Sequence, residues 1–323
     1  MLAIQIARTG GPEVLTPTDI PEPQPGPGQI RIRHGAIGLN YIDTYHRKGV
    51  YPLPLPRVLG QEAAGTVDAL GPGVTRFKIG DRAAYVAGSS GAYAEAATLA
   101  EGEAVRLPDD VSDEVAAAVI LKGLTVEILV RRAYRLQPGQ TVLVHAAAGG
   151  VGSLLVQWAK ALGARVIAAV GSPDKAAAAL ALGADDAVLY EADGWPDHVR
   201  ALTGGKGVDV VYDGVGRATA EGSLQSLARR GWLIVYGAAS GPAPPIDPLA
   251  LMRGGSLVFT RPGLFDYTAE TAELDAAAEA LFAVLRTGAV KPQIGQRFAL
   301  KDTAQAHRAL EARSTSGATL LIP

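Results

Sequence analysis

Residues 141–162 read Thr141-Val142-Leu143-Val144-His145, then Ala146-Ala147-Ala148-Gly149-Gly150-Val151-Gly152, then Ser153-Leu154-Leu155-Val156-Gln157-Trp158-Ala159-Lys160-Ala161-Leu162. A β-branched run, a glycine-rich bend and an apolar stripe of helical period are the parts of a strand, a phosphate loop and a helix. A buried parallel strand is apolar on both faces, as Val142, Leu143 and Val144 are, and Gly149, Gly150 and Gly152 remove Cβ atoms that would hold backbone away from backbone or ligand. The helix points unpaired N–H groups and the positive end of its dipole into the bend, which suits a pyrophosphate. The spacing departs from G-x-G-x-x-G, with Ala147 in place of the first glycine. A tight strand-to-helix turn without a ligand accounts for a bare glycine cluster equally well.

The neighbouring sequence extends the pattern. Strands are expected at 141–145, 165–170, 186–190, 208–212, 231–236 and 255–260, with helices near 151–162, 174–182, 195–203 and 217–229. Such alternation predicts an α/β domain with a doubly wound parallel sheet, because crossover helices must bury their apolar stripes on both of its faces. Upstream, strands at 2–6, 30–37, 63–70 and 82–86 are separated by turn-rich stretches at 21–28, 51–56, 71–73 and 88–91, the pattern of a small barrel or distorted sandwich. A helical pair, 112–121 and 125–134, leads into the first parallel strand. Downstream lie a helix over 271–287, a strand at 296–300, a helix over 303–312 and a strand at 318–322. That terminal apolar strand needs a sheet to join, and the N-terminal one is incomplete. The expected organisation is therefore 1–125, an inserted nucleotide domain at 126–262, and a return segment at 263–323.

With 323 residues, 48% hydrophobic and 19% charged, the chain has the balance of a globular protein of about two domains. Its net charge of −2, without long runs of one sign, gives no electrostatic footprint for nucleic acid or an acidic membrane. No apolar stretch reaches the roughly 18 residues of a membrane span, and no signal-peptide pattern is seen, so a cytoplasmic location is expected. The chain contains no cysteine, which removes disulfides, a thiol nucleophile and thiolate metal sites together. Its five histidines, His34, His46, His145, His198 and His307, show no metal-ligand spacing.

Taken together, Gly10-Gly11-Pro12-Glu13-Val14-Leu15, Asn40-Tyr41-Ile42-Asp43-Thr44-Tyr45, Gly60-Gln61-Glu62-Ala63-Ala64-Gly65, Leu121-Lys122-Gly123-Leu124-Thr125, His145 through Gly152 and Tyr212-Asp213-Gly214-Val215-Gly216 give the chain a family likeness. Over essentially its whole length it resembles the zinc-independent quinone oxidoreductases, the zeta-crystallin-like branch of the medium-chain dehydrogenase/reductases. In that family the bend is of the A-x-x-G-x-x-G type, which Ala146, Gly149 and Gly152 fit. The resemblance implies a Rossmann domain inserted in a GroES-like β-rich catalytic domain, with the cofactor in the cleft between them. Zinc alcohol dehydrogenases of the superfamily carry Cys where this chain has Asn40, and Gly-His-Glu where it has Gly60-Gln61-Glu62. Without thiolate or imidazole at those places a carbonyl-polarising zinc cannot be held, so no metal is expected and Glu62 is expected to be structural.

The second strand ends in Gly171-Ser172-Pro173-Asp174-Lys175, with no carboxylate where an NAD enzyme holds the ribose 2′-hydroxyl. That leaves room for a 2′-phosphate, with Ser172 as donor and Lys175 as point charge, and predicts NADPH as cofactor. Ser172 also suits a helix cap, and capping and phosphate binding can coexist. The resemblance adds Tyr190 and Arg313 as partners of that phosphate. It implies further cofactor contacts from Asn40, Lys122, Gly150, Val151, Gly171, Val215, Tyr236, Gly237, Arg261 and Leu264, although Tyr236 also reads as strand-end packing and Arg261-Pro262 as a charged turn.

For the acceptor, Asn40, Tyr41, Asp43, Tyr45 and Tyr51 supply hydrogen-bonding groups and flat rings suited to a planar molecule. A helix starting near Asn40 with tyrosines as partial core is the plainer alternative, and the resemblance decides for a substrate pocket. Asn40, Tyr45 and Lys122 are the candidates to stabilise a developing oxyanion, with the proton coming from Tyr45 or solvent. The function implied is NADPH-dependent quinone reduction by hydride or electron transfer. An NADPH-dependent enoyl or alkenal C=C reductase is the alternative, and an NADPH-bound structural or RNA-binding protein a third reading, against which the charge balance counts. Finally, Gly255-Ser256-Leu257-Val258-Phe259-Thr260 should lie at the edge of the parallel sheet with neither lysine nor proline to blunt it. The resemblance implies a homodimer joined through that edge; cover by residues 243–253 within a monomer is the alternative.

Overall fold

The strand Thr141–His145 and the helix Gly150–Ala161 form around the quoted stretch, with Val142, Leu143 and Val144 fully buried. In the computed structural model, which describes residues 1–87, 91–312 and 314–323, this strand lies inside a six-stranded parallel sheet. The strand order is Asp186–Leu189, Arg165–Val170, Thr141–His145, Val208–Asp213, Leu227–Val235, Val258–Thr260. Chain order therefore runs outward in both directions from Thr141–His145, the doubly wound arrangement. The helices Gly150–Ala161, Pro173–Ala181, Trp195–Leu202 and Ala220–Ser226 connect strands of this sheet, and Leu143, Ile167, Val188, Val199, Val211 and Leu233 share one buried cluster.

Three expectations shift here. The helix expected at 217–229 is only Ala220–Ser226, because the next strand already begins at Leu227. The strand expected at 255–260 is only Val258–Thr260; Gly255 and Ser256 take left-handed φ of 109° and 59°, off the extended conformation in which the strand begins at Val258. The pair expected at 112–121 and 125–134 is one unbroken helix, Asp113–Glu127, running into a π-helical turn, Ile128–Ala133. Gly123 does not end it, since that glycine makes room for the side chain of Leu281.

The chain forms two compact units. One comprises Thr125–Tyr267 and Val284–Lys291 and holds the parallel sheet; the other comprises Met1–Leu124, Thr268–Ala283 and Pro292–Pro323. This second unit consists of two sheets rather than a closed barrel. A three-stranded sheet has the order Thr16–Asp19, Leu2–Ile6, Arg57–Val58. A seven-stranded one has the order Ile294–Ala299, Ala318–Ile322, Gln29–Leu39, Glu62–Leu70, Arg82–Val86, Ala104–Arg106, with Ala96–Ala100 also pairing with Gln29–Leu39. The late strand does return to the N-terminal sheet: Thr319, Leu320 and Leu321 pair antiparallel with Leu39, Gly38 and Ile37. The strands Thr16–Asp19, Arg57–Val58, Ala96–Ala100 and Ala104–Arg106 were not anticipated. Of the turn expected at 88–91, only Gly91 lies within the described residues.

Candidate active site

In the parallel-sheet unit, nearly all the cofactor candidates follow the carboxyl ends of strands. Gly149 to Gly152 follow Thr141–His145, Gly171 to Lys175 follow Arg165–Val170, and Tyr190 follows Asp186–Leu189. Val215 follows Val208–Asp213, Tyr236 and Gly237 follow Leu227–Val235, and Arg261 follows Val258–Thr260; Leu264 opens the short helix Leu264–Tyr267. Open parallel sheets bind ligands at this end, at the point where the strand order reverses.

Local geometry fits a dinucleotide. Gly149 caps the helix, and the first-turn amides of Gly150, Val151 and Gly152 have no acceptor within the helix. A Cβ on Gly149 would stand 3.1 Å from the Ala146 carbonyl oxygen, whereas one on Gly152 would collide with that oxygen outright. Ala146 itself takes a left-handed φ of 50° to turn the loop. Ser172 caps the helix Pro173–Ala181, its Oγ accepting from the Lys175 amide at 3.4 Å, so the capping role is present. Gly171 lies against Tyr190, where a Cβ would stand 3.0 Å from the phenol oxygen. Gly237 leaves space for the Gly214 backbone, and an Arg261 guanidinium nitrogen donates to the Gly237 carbonyl at 3.3 Å. Burial pushes the Tyr236 hydroxyl well above its ordinary pKa, so it stays protonated. Arg313 lies outside the described residues.

Behind these loops sits a residue that the sequence reading passed over. Asp213 is fully buried; one carboxylate oxygen accepts from the amides of Val215 and Gly216 at 2.8 and 3.0 Å, the other from Thr219 and Ser223 hydroxyls at 2.7 and 3.0 Å. It shapes the bend that carries Val215. Its motif, Tyr212-Asp213-Gly214-Val215-Gly216, was visible, but not its role.

In the other unit, the strand Gln29–Leu39 delivers Asn40 to the start of the helix Tyr41–Lys48. Asn40 Nδ2 donates to Glu62 at 2.7 Å and to the Gly38 carbonyl at 3.4 Å, and Lys122 pairs closely with the same Glu62 oxygen. The second Glu62 oxygen accepts the Leu121 amide at 2.7 Å. Glu62 is thus the hub that joins Asn40 to Lys122. With both Asn40 side-chain hydrogens engaged, Asn40 is not the free oxyanion donor that was expected, while the Lys122 ammonium has three hydrogens to place.

Asp43, expected to contact substrate, exposes no surface. Its Oδ2 accepts the Asn40 amide at 2.9 Å and the Tyr93 hydroxyl at 2.7 Å, so the carboxylate is used inside the protein to hold the helix start. Burial pushes the Asp43 carboxyl up to about 7, against the downward pull of the Tyr93 and Asn40 bonds; nearby Glu62 adds to the rise and Lys122 opposes it. Tyr41, Tyr45 and Tyr51 do come together: their rings meet edge-on, at 5.5 Å between Tyr41 and Tyr45 and 5.4 Å between Tyr45 and Tyr51. Gly49, with φ of 76°, ends the helix and folds Tyr51 back against Tyr45. All three tyrosines are half-buried. Among the described residues no group of three or more His, Asp or Glu is placed to hold a metal ion, and no helix is long and apolar enough to cross a membrane.

Comparison with known proteins matches residues 26–109 to the alcohol dehydrogenase GroES-like domain and residues 150–290 to the zinc-binding dehydrogenase family. The chain is 50% identical to a quinone oxidoreductase of Pseudomonas aeruginosa, over 99% of both chains. It is 40% identical to a 2-haloacrylate reductase from a Burkholderia species, over 100% of this chain and 99% of that one. Among solved structures, that of Escherichia coli quinone oxidoreductase complexed with NADPH superposes with a TM-score of 0.97 at 43% identity, covering 100% of both chains.

Proposed function

Because the chain belongs to the quinone oxidoreductases of the medium-chain dehydrogenase/reductase superfamily, we propose that it reduces quinones with NADPH and without zinc. The observation that carries this reading is the row of glycine, aromatic and basic residues at the carboxyl ends of six parallel strands, around a glycine bend where the first-turn amides of the helix Gly150–Ala161 have no acceptor within the helix. NADPH, when bound, supplies a hydride from its nicotinamide. Gly149, Gly150, Val151 and Gly152 receive the pyrophosphate, Ser172, Lys175, Tyr190 and Arg313 the 2′-phosphate, and Val215, Tyr236, Gly237, Arg261 and Leu264 the nicotinamide half.

In the other unit, Tyr41, Tyr45 and Tyr51 stack on the acceptor ring. Lys122 and the Tyr45 hydroxyl donate to the acceptor oxygen as negative charge grows on it, an interaction strongest in the transition state. Asn40, Asp43 and Glu62 keep Lys122 and the helix start in place. The test is steady-state NADPH oxidation against quinones, enones and aldehydes. Quinone turnover well above the others supports the reading, and no quinone turnover defeats it. Preference for activated C=C bonds would favour the second reading, to which the 2-haloacrylate reductase at 40% identity lends weight.

A homodimer and a cytoplasmic location are part of the same proposal. The strand Val258–Thr260 ends the sheet with half-buried residues, and Leu249 and Met252, on the preceding helix Pro248–Arg253, are large apolar side chains left more than half exposed. A two-fold mate pairing with this edge would extend the sheet and cover apolar surface at once.

A further inference from the structure

A line of hydrogen bonds, buried from Arg47 inward, runs from the helix Thr303–Glu311 to the start of the helix Tyr41–Lys48. Glu311 accepts two bonds from Arg47 Nη2, each of 2.8 Å, and Arg47 Nη1 lies 2.9 Å from His307 Nδ1. His307 Nε2 lies 3.1 Å from the Tyr93 hydroxyl, which lies 2.7 Å from Asp43 Oδ2. Arg47, Tyr93, His307 and Asp43 are all fully buried. Chemistry gives the line one direction. A guanidinium only donates, so His307 Nδ1 accepts, and burial together with the Arg47 charge keeps His307 neutral by lowering its pKa to about 3. Its single proton is therefore on Nε2 and donated to the Tyr93 oxygen, which leaves the Tyr93 proton nowhere to go but Asp43 Oδ2. That oxygen already accepts the Asn40 amide, whereas Oδ1 has no hydrogen-bond partner among the described residues.

We propose that Arg47, His307 and Tyr93 are positioning residues for the acceptor site, acting through Asp43: they commit Oδ2 to the Asn40 amide and leave Oδ1 to take up or release a proton. This rests on the reading that Lys122 and Tyr45 serve the reduced acceptor. Asn40 keeps its place in either protonation state, while Asp43 changes charge two hydrogen bonds from the Glu62–Lys122 pair. The charged and titratable groups around Asp43 are Glu62, Lys122 and Tyr93, with His307 and Arg47 behind Tyr93. With Asp43 neutral, Glu62 and Lys122 cancel; with Asp43 ionised, a net negative charge opposes the oxyanion forming on the acceptor. Turnover therefore falls as pH rises through the Asp43 pKa, near 7.

The experiment is the pH profile of kcat for quinone reduction in wild type, Tyr93→Phe, His307→Gln, His307→Leu and Asp43→Asn. Tyr93→Phe removes a bond that stabilises the carboxylate, and the alkaline limb moves up by about one pH unit. Glutamine can accept from Arg47 and donate to Tyr93, so His307→Gln keeps the wild-type limb, while His307→Leu shifts it upward. Asp43→Asn has no limb in this range. An unmoved limb in both Tyr93→Phe and His307→Leu, or a limb that persists in Asp43→Asn, overturns the proposal. If Tyr93→Phe does not fold, the two His307 variants decide alone. Should wild type reduce no quinone, the functional reading fails separately. The Asp43 carbonyl band, followed by infrared difference spectroscopy from about pH 5 to about pH 9 in wild type, Tyr93→Phe and His307→Leu, still decides the proposal: loss of the protonated band near neutrality in wild type and at higher pH in both variants upholds it, and the same titration in all three sinks it.

Discussion

Glu62 shows how one buried carboxylate organises a site, because it has no exposed surface and binds Asn40, Lys122 and the Leu121 amide together. Removing one partner of a buried pair strands the other charge, at a cost of about 3–5 kcal/mol. Lys122→Met is accordingly expected to lose about 3 kcal/mol or more of stability in urea unfolding near neutral pH. A loss under about 1 kcal/mol would mean that solvent or the two amide donors already compensate Glu62. Lys175 carries a different expectation. Its amide is capped by Ser172, so the backbone does not need the ammonium, and Lys175→Ala should weaken NADPH binding by about 1.5–3 kcal/mol while barely touching NADH. Titration calorimetry with both cofactors checks this; equal losses would assign Lys175 a structural job.

The strand–loop–helix around residues 141–162 separates two uses of glycine. Gly152→Ala puts a Cβ into the Ala146 carbonyl, a backbone atom that cannot step aside, and should cost about 1–3 kcal/mol in thermal or urea unfolding. Gly149 has φ of −83° and only a 3.1 Å approach to the same oxygen, so Gly149→Ala should cost far less stability than Gly152→Ala. Its effect should fall on NADPH affinity. Equal stability losses in the two variants would contradict that division. Elements of this kind were readable in the sequence because each rests on a local signal: Val142 to Val144 for a strand, the leucines from Leu154 for a helix, Ser172 for a helix cap. What was misread also has local causes. Residues 122–124 were expected to separate two helices, yet the helix runs through them with Gly123 packed against Leu281; Gly255 and Ser256 looked like strand and are a left-handed turn. The aromatic wall and the Lys122 position followed from motif likeness. Glu62 as a hub, and Tyr93, His307 and Arg47 behind Asp43, could not be foreseen, since they meet across chain separations that no window of sequence spans.

The assembled protein should sediment as a dimer at micromolar concentration, and Val258→Pro, which removes an edge amide, should shift it toward monomer. A wild-type monomer, or a folded variant that stays fully dimeric, would refute the proposed edge pairing. Activity should be indifferent to chelators, and elemental analysis should find no stoichiometric zinc, because Asn40 and Gln61 stand where ligands would be needed. The late strand Ala318–Ile322 has a consequence for how the chain is made. Ile37, Gly38 and Leu39 pair with it, yet they leave the ribosome long before it does, with the whole parallel-sheet unit translated in between. At about 5–20 residues per second the earlier strand waits roughly a quarter of a minute to a minute with part of one edge open. The parallel-sheet unit, mostly one continuous stretch, can finish while its neighbour is still incomplete, so on the nascent chain the half that needs a chaperone's cover is the one synthesised first.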